Sequence, residues 1–295
     1  MILVTGGTGF IGQRVVHALR AEGREVRCLV RSRARGATLE ALGCQLALGD
    51  VTDPESLRQA VAGCDVVVHL VAIIAGRPED FERVMAQGTC DLLETARAEG
   101  VRRFVLMSAL GVSEKTKELT PYYRAKWAME ESVRASGLEH VIFRPSFVFG
   151  PGGGAITEFA RLVRFLPAIP VVGSGERRLQ PIYVDDVAAF FARAVDVPEA
   201  ANRTFELGGP EVVTWNELWA RLAGALGKRR PLVHLPVGLL RAQAVVLERL
   251  PKPLVTRDQL AMLEAGDNVC DPQPAVDTFG VDLTPLDEQL RRSLR

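Results

Sequence analysis

The chain has 295 residues, 47% of them hydrophobic and 24% charged, with 36 Lys+Arg against 36 Asp+Glu. That length suits one large α/β domain or a domain with an appended lobe, and the composition is that of an ordinary soluble globular protein. A net charge of zero argues against nucleic acid as a partner, because such proteins carry a basic excess.

The five cysteines, Cys28, Cys44, Cys64, Cys90 and Cys270, are scattered and form no CxxC pair, which predicts reduced thiols in a cytoplasmic protein. The four histidines, His17, His69, His140 and His234, show no metal-ligand spacing, and no metal is expected. No signal peptide is visible. No apolar run reaches the roughly 20 residues that span a bilayer.

A short apolar run, Met1–Val4, leads into Gly6-Gly7-Thr8-Gly9-Phe10-Ile11-Gly12 and then a helix-like stretch, Gln13–Glu22. A buried strand, a glycine turn and a helix N-terminus together make a pyrophosphate site: amides point outward, the helix dipole favours negative charge, and glycines let the ligand approach. Strand-like runs follow at Val26–Val30, Gln45–Leu48, Val66–Val71, Phe104–Met107 and Val141–Phe143. Helix-like segments lie between them at Thr38–Leu42, Pro54–Ala62, Phe81–Glu99 and Tyr122–Ser136. Continuous β-branched runs separated by helices predict a Rossmann-type α/β fold, a doubly wound parallel sheet covered on both faces.

After Gly150 the pattern loosens. Residues 1–150 read as the dinucleotide-binding domain and 151–295 as a smaller substrate-binding lobe, with 179–196 returning to the first domain. A helix is expected at Ile156–Phe165, a strand at Gln180–Val184 and helices at Val187–Val195 and Glu217–Leu226. Asp185 and Thr214 are the candidate caps for the last two, since carboxylates and hydroxyls accept the free amides of a helix start. Asp185 and Asp186 read as structural rather than catalytic. The stretch Val237–Leu250 is amphipathic and is expected to pack on the lobe; the alternative is an interfacial membrane contact.

The second strand ends in Val30-Arg31-Ser32-Arg33-Ala34-Arg35. An NAD-selective site carries a carboxylate here for the ribose 2′-OH. Arg31, Ser32 and Arg33 instead suit a 2′-phosphate, which predicts NADP(H) over NAD(H). Tyr122 and Lys126 stand four residues apart, on one face of a helix. Ser108 ends the preceding strand. Strand ends and the next helix meet at the ligand crevice, so the three are expected to converge beside the nicotinamide.

The Gly6-x-x-Gly9-x-x-Gly12 spacing resembles that of extended and atypical short-chain dehydrogenase/reductase proteins, and Ser108 with Tyr122-x-x-x-Lys126 resembles their triad. The resemblance implies that Ser108 holds the substrate oxygen and Tyr122 transfers the proton. It implies that Lys126 binds the nicotinamide ribose and lowers the Tyr122 pKa. It also implies cofactor contacts from the turn (Gly6, Thr8, Gly9, Phe10, Ile11 and Gly12) and from Val71 and Ala72 after the fourth strand. Asp50 and Val51 would contact the adenine, though Asp50 reads equally as a helix-start residue. Arg144-Pro145-Ser146-Phe147-Val148-Phe149-Gly150-Pro151 is similar to the family's stretch beside the nicotinamide, which adds Pro145 and Phe147. One departure is Met85, where extended members carry an Asn that supports a proton relay.

The pieces 173–175, 181–188, 206–211 and 256–260 are similar to bacterial relatives of the NADPH-binding accessory subunit of respiratory complex I. Three functions follow as expectations: an NADPH-dependent oxidoreductase on a carbonyl or alcohol, a non-catalytic NADPH-binding protein of a membrane complex, or a nucleotide-sugar epimerase or dehydratase. The third needs a diphosphate clamp, for which Arg177 and Arg178 are the candidates. Sequence alone names neither the substrate nor the oligomeric state.

Overall fold

The computed structural model describes residues 1–238 and 257–294. Val237–Leu250, beyond its first two residues, and Thr256 lie outside the described residues. The chain divides into two compact units. The first gathers Met1–Pro145, Val184–Leu207 and Asp271–Asp282; the second gathers Ser146–Tyr183, Gly208–Cys270 and Leu283–Arg295.

The first unit is built on a seven-stranded sheet. Its strands are β1 (Ile2–Thr5), β2 (Val26–Val30), β3 (Gln45–Leu48), β4 (Val66–His69), β5 (Arg103–Met107), β6 (Glu139–Pro145) and, later in the chain, Arg203–Leu207. All neighbours pair parallel. Reading from β3, the order is β3-β2-β1-β4-β5-β6 followed by Arg203–Leu207, so chain order reverses between β1 and β4. That switch point opens a crevice at the C-terminal strand ends, where doubly wound sheets bind ligands. β1 and β4 are buried at every position, as runs covered on both faces must be.

The helices α1 (Phe10–Ala21), α2 (Arg33–Ala41), α3 (Pro54–Val61), α4 (Pro78–Phe81), α5 (Gly88–Ala98) and α6 (Pro121–Ala135) connect these strands. Leu57, Val61, Leu92, Phe104, Met129 and Ile142 belong to the apolar core on one side of the sheet. The strand Arg203–Leu207 lays Phe205 against Phe143, which also meets Phe191 and Phe279.

The continuous helix expected over Phe81–Glu99 is divided. A π-helical turn, Glu82–Gln87, separates α4 from α5. Two contacts accompany it, one local and one with a distant loop. The Thr89 hydroxyl donates to the Met85 carbonyl at 2.5 Å. Gly88 lies so close to the preceding loop that a Cβ there would stand 3.1 Å from the Val51 carbonyl oxygen. A π-turn of this kind often marks a functional site.

The second unit has its own core, in which Ile156, Val163, Ile169, Leu218, Leu222, Leu286 and Leu290 meet. The helices α7 (Ile156–Phe165) and α9 (Trp215–Ala225) pack there with three two-stranded ribbons. Thr214 caps α9 as expected and completes a capping box with Glu217. Asp185 does not cap in the expected way. α8 (Val184–Ala194), which belongs to the first unit, begins at Val184 directly after the strand Ile182–Tyr183, so Asp185 and Asp186 sit inside its first turn. Asp185 lies 3.6 Å from Arg14 of α1. No described helix is long and apolar enough to cross a membrane.

His69 is fully buried at the end of β4. Its Nε2 lies 3.0 Å from Thr89 Oγ1 and its Nδ1 2.6 Å from Thr5 Oγ1. The Thr89 hydrogen is already given to Met85, so Nε2–H donates to Thr89 and the Thr5 hydroxyl donates to Nδ1. One neutral imidazole thus ties β1, β4 and the π-turn together. Burial first, and the Lys126 charge second, hold its pKa down to about 3 against an ordinary 6.5. Between those values the unfolded chain binds the proton more readily, so stability falls as pH drops from 6.5 towards 3. His69→Gln should flatten this part of the acid slope. Urea unfolding of both proteins at about pH 7 and about pH 4.5 measures it, and equal slopes would remove His69 as a contributor.

Candidate functional site

The turn after β1 closes on itself. Gly6 has φ +75°, and the carbonyl it presents accepts the Gly9 amide at 3.0 Å. A Cβ on Gly12 would stand 2.1 Å from that same carbonyl oxygen, and one on Gly6 would stand 2.9 Å from the Leu70 carbonyl carbon after β4. Only glycine fits at either place. α1 starts here with Gly9 at its cap, no side chain on the free amides and no acidic residue in its first turn. Thr8, Phe10 and Ile11 are half-buried around it, as are Val71 and Ala72 in the facing loop. The amides and the helix dipole are therefore left for an external anion, and the missing Cβ atoms give it room. A dinucleotide pyrophosphate fits this cradle.

At the end of β2, Ser32 is not free for a ligand in this geometry: it caps α2, accepting the Arg35 amide at 3.4 Å. Arg33 pairs with Glu40. Arg31 and Arg35 are exposed and form no ion pair among the described residues. Asp50 turns its own loop, with Oδ1 accepting from the Thr52 amide at 3.0 Å and hydroxyl at 2.9 Å. It is not the helix-start residue; Asp53 caps α3. Val51 is buried against Gly88.

β5 ends at Met107, which puts Ser108 at the crevice, and Thr120 caps α6 so that Tyr122 lies in its first turn. Tyr122 and Lys126 come together, with Nζ 5.9 Å from the ring centroid. Lys126 is fully buried and donates to the Met107 carbonyl at 2.6 Å. Burial pulls its pKa down to about 7, against the opposing charge of Glu130. The expectation that Lys126 lowers the Tyr122 pKa is not met. Burial first, then Tyr123, push that phenol up, and the Lys126 ammonium is turned to the Met107 carbonyl.

Ser108 is not joined to Tyr122. Its Oγ is buried and completes no hydrogen bond of normal geometry. The hydroxyl instead lies near Glu130 and helps to hold that carboxyl ionised. Burial alone would raise Glu130; the Arg144 and Ser108 contacts and the nearby guanidinium charges outweigh it. Met85, at the position of the family's Asn, is fully buried in the apolar core. Tyr123, one residue from Tyr122, fastens the β5 loop by donating to the Leu110 carbonyl at 3.2 Å. Pro145, also buried, accepts the Leu110 amide from the other side at 2.9 Å.

Phe147 belongs to the second unit, where its ring packs on Phe159 and Trp215. In that unit Arg178 is taken by Asp267 at 2.8 Å, and Arg177 donates to the Glu264 carbonyl at 3.2 Å.

Sequence reasoning missed Glu130, Tyr123 and the His69–Thr89 link. Glu130 had a signal: it stands four residues after Lys126, and a carboxylate at that spacing on an otherwise apolar face must be answered by a buried cation.

The model of the NAD dependent epimerase/dehydratase family matches residues 2–208. The chain is 32% identical over 248 residues to the ceramide reductase of Caulobacter vibrioides, covering 83% of this chain and 77% of that protein. It is 30% identical over 305 residues to the mitochondrial NADH dehydrogenase [ubiquinone] 1 alpha subcomplex subunit 9 of Rattus norvegicus, covering 98% and 79%. Among solved structures, that of gox2253 superposes with a TM-score of 0.81 at 25% identity, covering 100% of this chain and 96% of that one. The glycine cradle, the parallel sheet and this match agree: the chain belongs to the NAD dependent epimerase/dehydratase family, of extended short-chain dehydrogenase/reductase type, whose members bind NAD(P).

Proposed function

We propose that the protein is an NADP(H)-dependent oxidoreductase that moves hydride to or from a carbonyl or alcohol carbon. The observation that carries the reading is the Tyr122–Lys126 pair, held on one helix face at the crevice with Nζ 5.9 Å from the ring. Bound NADP(H) would supply or accept the hydride. In the reducing direction Tyr122 Oη gives its proton to the substrate oxygen as the carbon takes hydride, and the phenolate is reprotonated from water that reaches the crevice. A raised phenol pKa suits this direction, since Tyr122 enters the step protonated. Lys126 Nζ would leave Met107 for the nicotinamide ribose hydroxyls.

Preference for NADP(H) is supported by Arg31 and Arg35. Both are exposed cations without a carboxylate partner among the described residues, at the place where an NAD-selective site keeps an acid. The ceramide reductase relative supports a reductase whose substrate is apolar, in line with an isoprenoid-like or other lipid carbonyl. The epimerase reading is disfavoured, because Arg178 already pairs with Asp267.

A second reading has its own support. Ser108 stands apart from Tyr122 and Met85 is sealed in the core, so a full proton relay is not preassembled. A structural, unreacting NADPH in a protein that serves a larger assembly fits those facts, and the similarity to an NADH dehydrogenase subunit is in line with it.

Fluorescence titration should give a lower Kd for NADPH than for NADH. Arg31→Ala should weaken NADPH roughly ten-fold and leave NADH nearly unchanged, as expected for the loss of a charge-assisted contact. Gly12→Ala should abolish binding of both, because its Cβ would meet the Gly6 carbonyl. Equal or tighter NADH binding by the native protein would refute the cofactor preference. With a carbonyl panel that includes long-chain ketones, Tyr122→Phe should cut turnover on the order of 100-fold or more while NADPH affinity holds. Turnover that survives the substitution would remove Tyr122 as the proton carrier. No turnover with any substrate would favour the assembly reading.

A further inference from the structure

Glu130 lies one turn beyond Lys126 on α6, so the two side chains share a helix face. Both are fully buried. A buried charge is tolerated when it is paired and hydrogen-bonded. Glu130 meets that condition: the Arg144 fork reaches it with bonds of 2.9 and 2.7 Å, and Arg134 adds one of 2.6 Å. Lys126 does not. Its ammonium has the Met107 carbonyl at 2.6 Å and no ion pair among the described residues.

We propose that Glu130 is the positioning residue for Lys126: its carboxylate keeps the neighbouring ammonium charged, and Arg144 sets how much of that negative charge Lys126 feels. The proposal rests on the reading of Lys126 as the residue that holds the cofactor ribose.

A single buried carboxylate, Glu130, answers Arg144 and Arg134 directly and stands one turn from the Lys126 ammonium. Without Glu130, the buried carboxylate one turn from Lys126 is gone while the Arg144 and Arg134 guanidiniums stay. Arginine keeps its proton, so Lys126 is the group that gives way. Without the Arg144 guanidinium, Glu130 keeps Arg134 alone as a direct partner, and the balance swings towards a charged Lys126.

The other groups around Lys126 do not replace Glu130. His69 on β4 is neutral near pH 7. β5 offers the Met107 carbonyl and the Ser108 hydroxyl, and α6 itself the Tyr122 ring. On β6, Arg144 has Glu206 at a distant 3.8 Å. The acidic and basic residues of α4, the π-turn and α5 are exposed or half-buried, and Cys90 of α5 is engaged with Ser132.

The test titrates Lys126 in the cofactor-free protein. The chain has five lysines, at 115, 117, 126, 228 and 252, so carbon-13 labelling of lysine Cε gives a readable spectrum in which Lys126→Met assigns the signal. Glu130→Gln should move the Lys126 midpoint towards acid by about one pH unit or more, and Arg144→Gln should move it towards alkali. Glu130→Asp, which keeps the charge, should stay near the native midpoint. A purely structural role would move Glu130→Gln and Arg144→Gln together or not at all, and either result overturns the proposal. If Glu130→Gln does not fold, the sign of the Arg144→Gln shift decides, and an acid shift or none overturns it. NADPH affinity of Lys126→Met is read separately. If it is unchanged, the ribose reading fails while the titration result stands.

Discussion

The approach of Gly12 to the Gly6 carbonyl, too close for any side chain, sets the start of α1 directly over the end of β1. Two consequences follow from that single contact. The first helical amides are left without a side-chain partner, and they face the loop after β4 at the point where strand order reverses. A pyrophosphate placed there is held by backbone, with glycines admitting it and the helix dipole favouring its charge. The positions of Arg31, Tyr122 and Lys126 gain meaning from this anchor, since a dinucleotide fixed at its middle extends both ways along the strand ends.

Around the anchor the first unit buries an unusual amount of ionisable chemistry. His69 is satisfied by two threonine hydroxyls and stays neutral, which costs nothing at neutral pH and makes it a brace between β1, β4 and the π-turn. Glu130 is satisfied by two arginines. Lys126 is the exception: it is charged or neutral according to a narrow balance, with a carbonyl as its direct partner. Groups with pKa values displaced by burial gather where chemistry is done, and here they gather on the helix that carries Tyr122. The same arrangement shows why catalysis and cofactor holding are hard to separate. A lysine that binds a ribose needs its proton, and a tyrosine that gives a proton needs an environment that lets it leave.

Much of this was legible in the sequence. The short apolar runs of β1 and β4, ended by turn residues and alternating with helical stretches, read as buried parallel strands. The glycine spacing and the Tyr122–Lys126 interval follow from local geometry alone. What was not legible depends on which of several available partners a side chain takes, and on close approaches between segments. The π-turn is accompanied by the Thr89 hydroxyl and by Gly88 against Val51. Asp50 is spent on Thr52, and Ser32 on the start of α2. The direction of the Tyr122 shift turns on how deeply the phenol is buried, which a four-residue spacing does not say. Ser108 sits at the expected strand end, yet its buried hydroxyl makes no hydrogen bond to Tyr122 among the described residues.

A structure of the protein crystallised with NADPH tests the central arrangement most directly. The pyrophosphate should lie on the amides of Phe10 and Ile11, with the 2′-phosphate against Arg31 and the nicotinamide ribose on Lys126 Nζ. Pyrophosphate density away from the Gly6–Gly12 turn, or a ribose out of reach of Lys126, would contradict it.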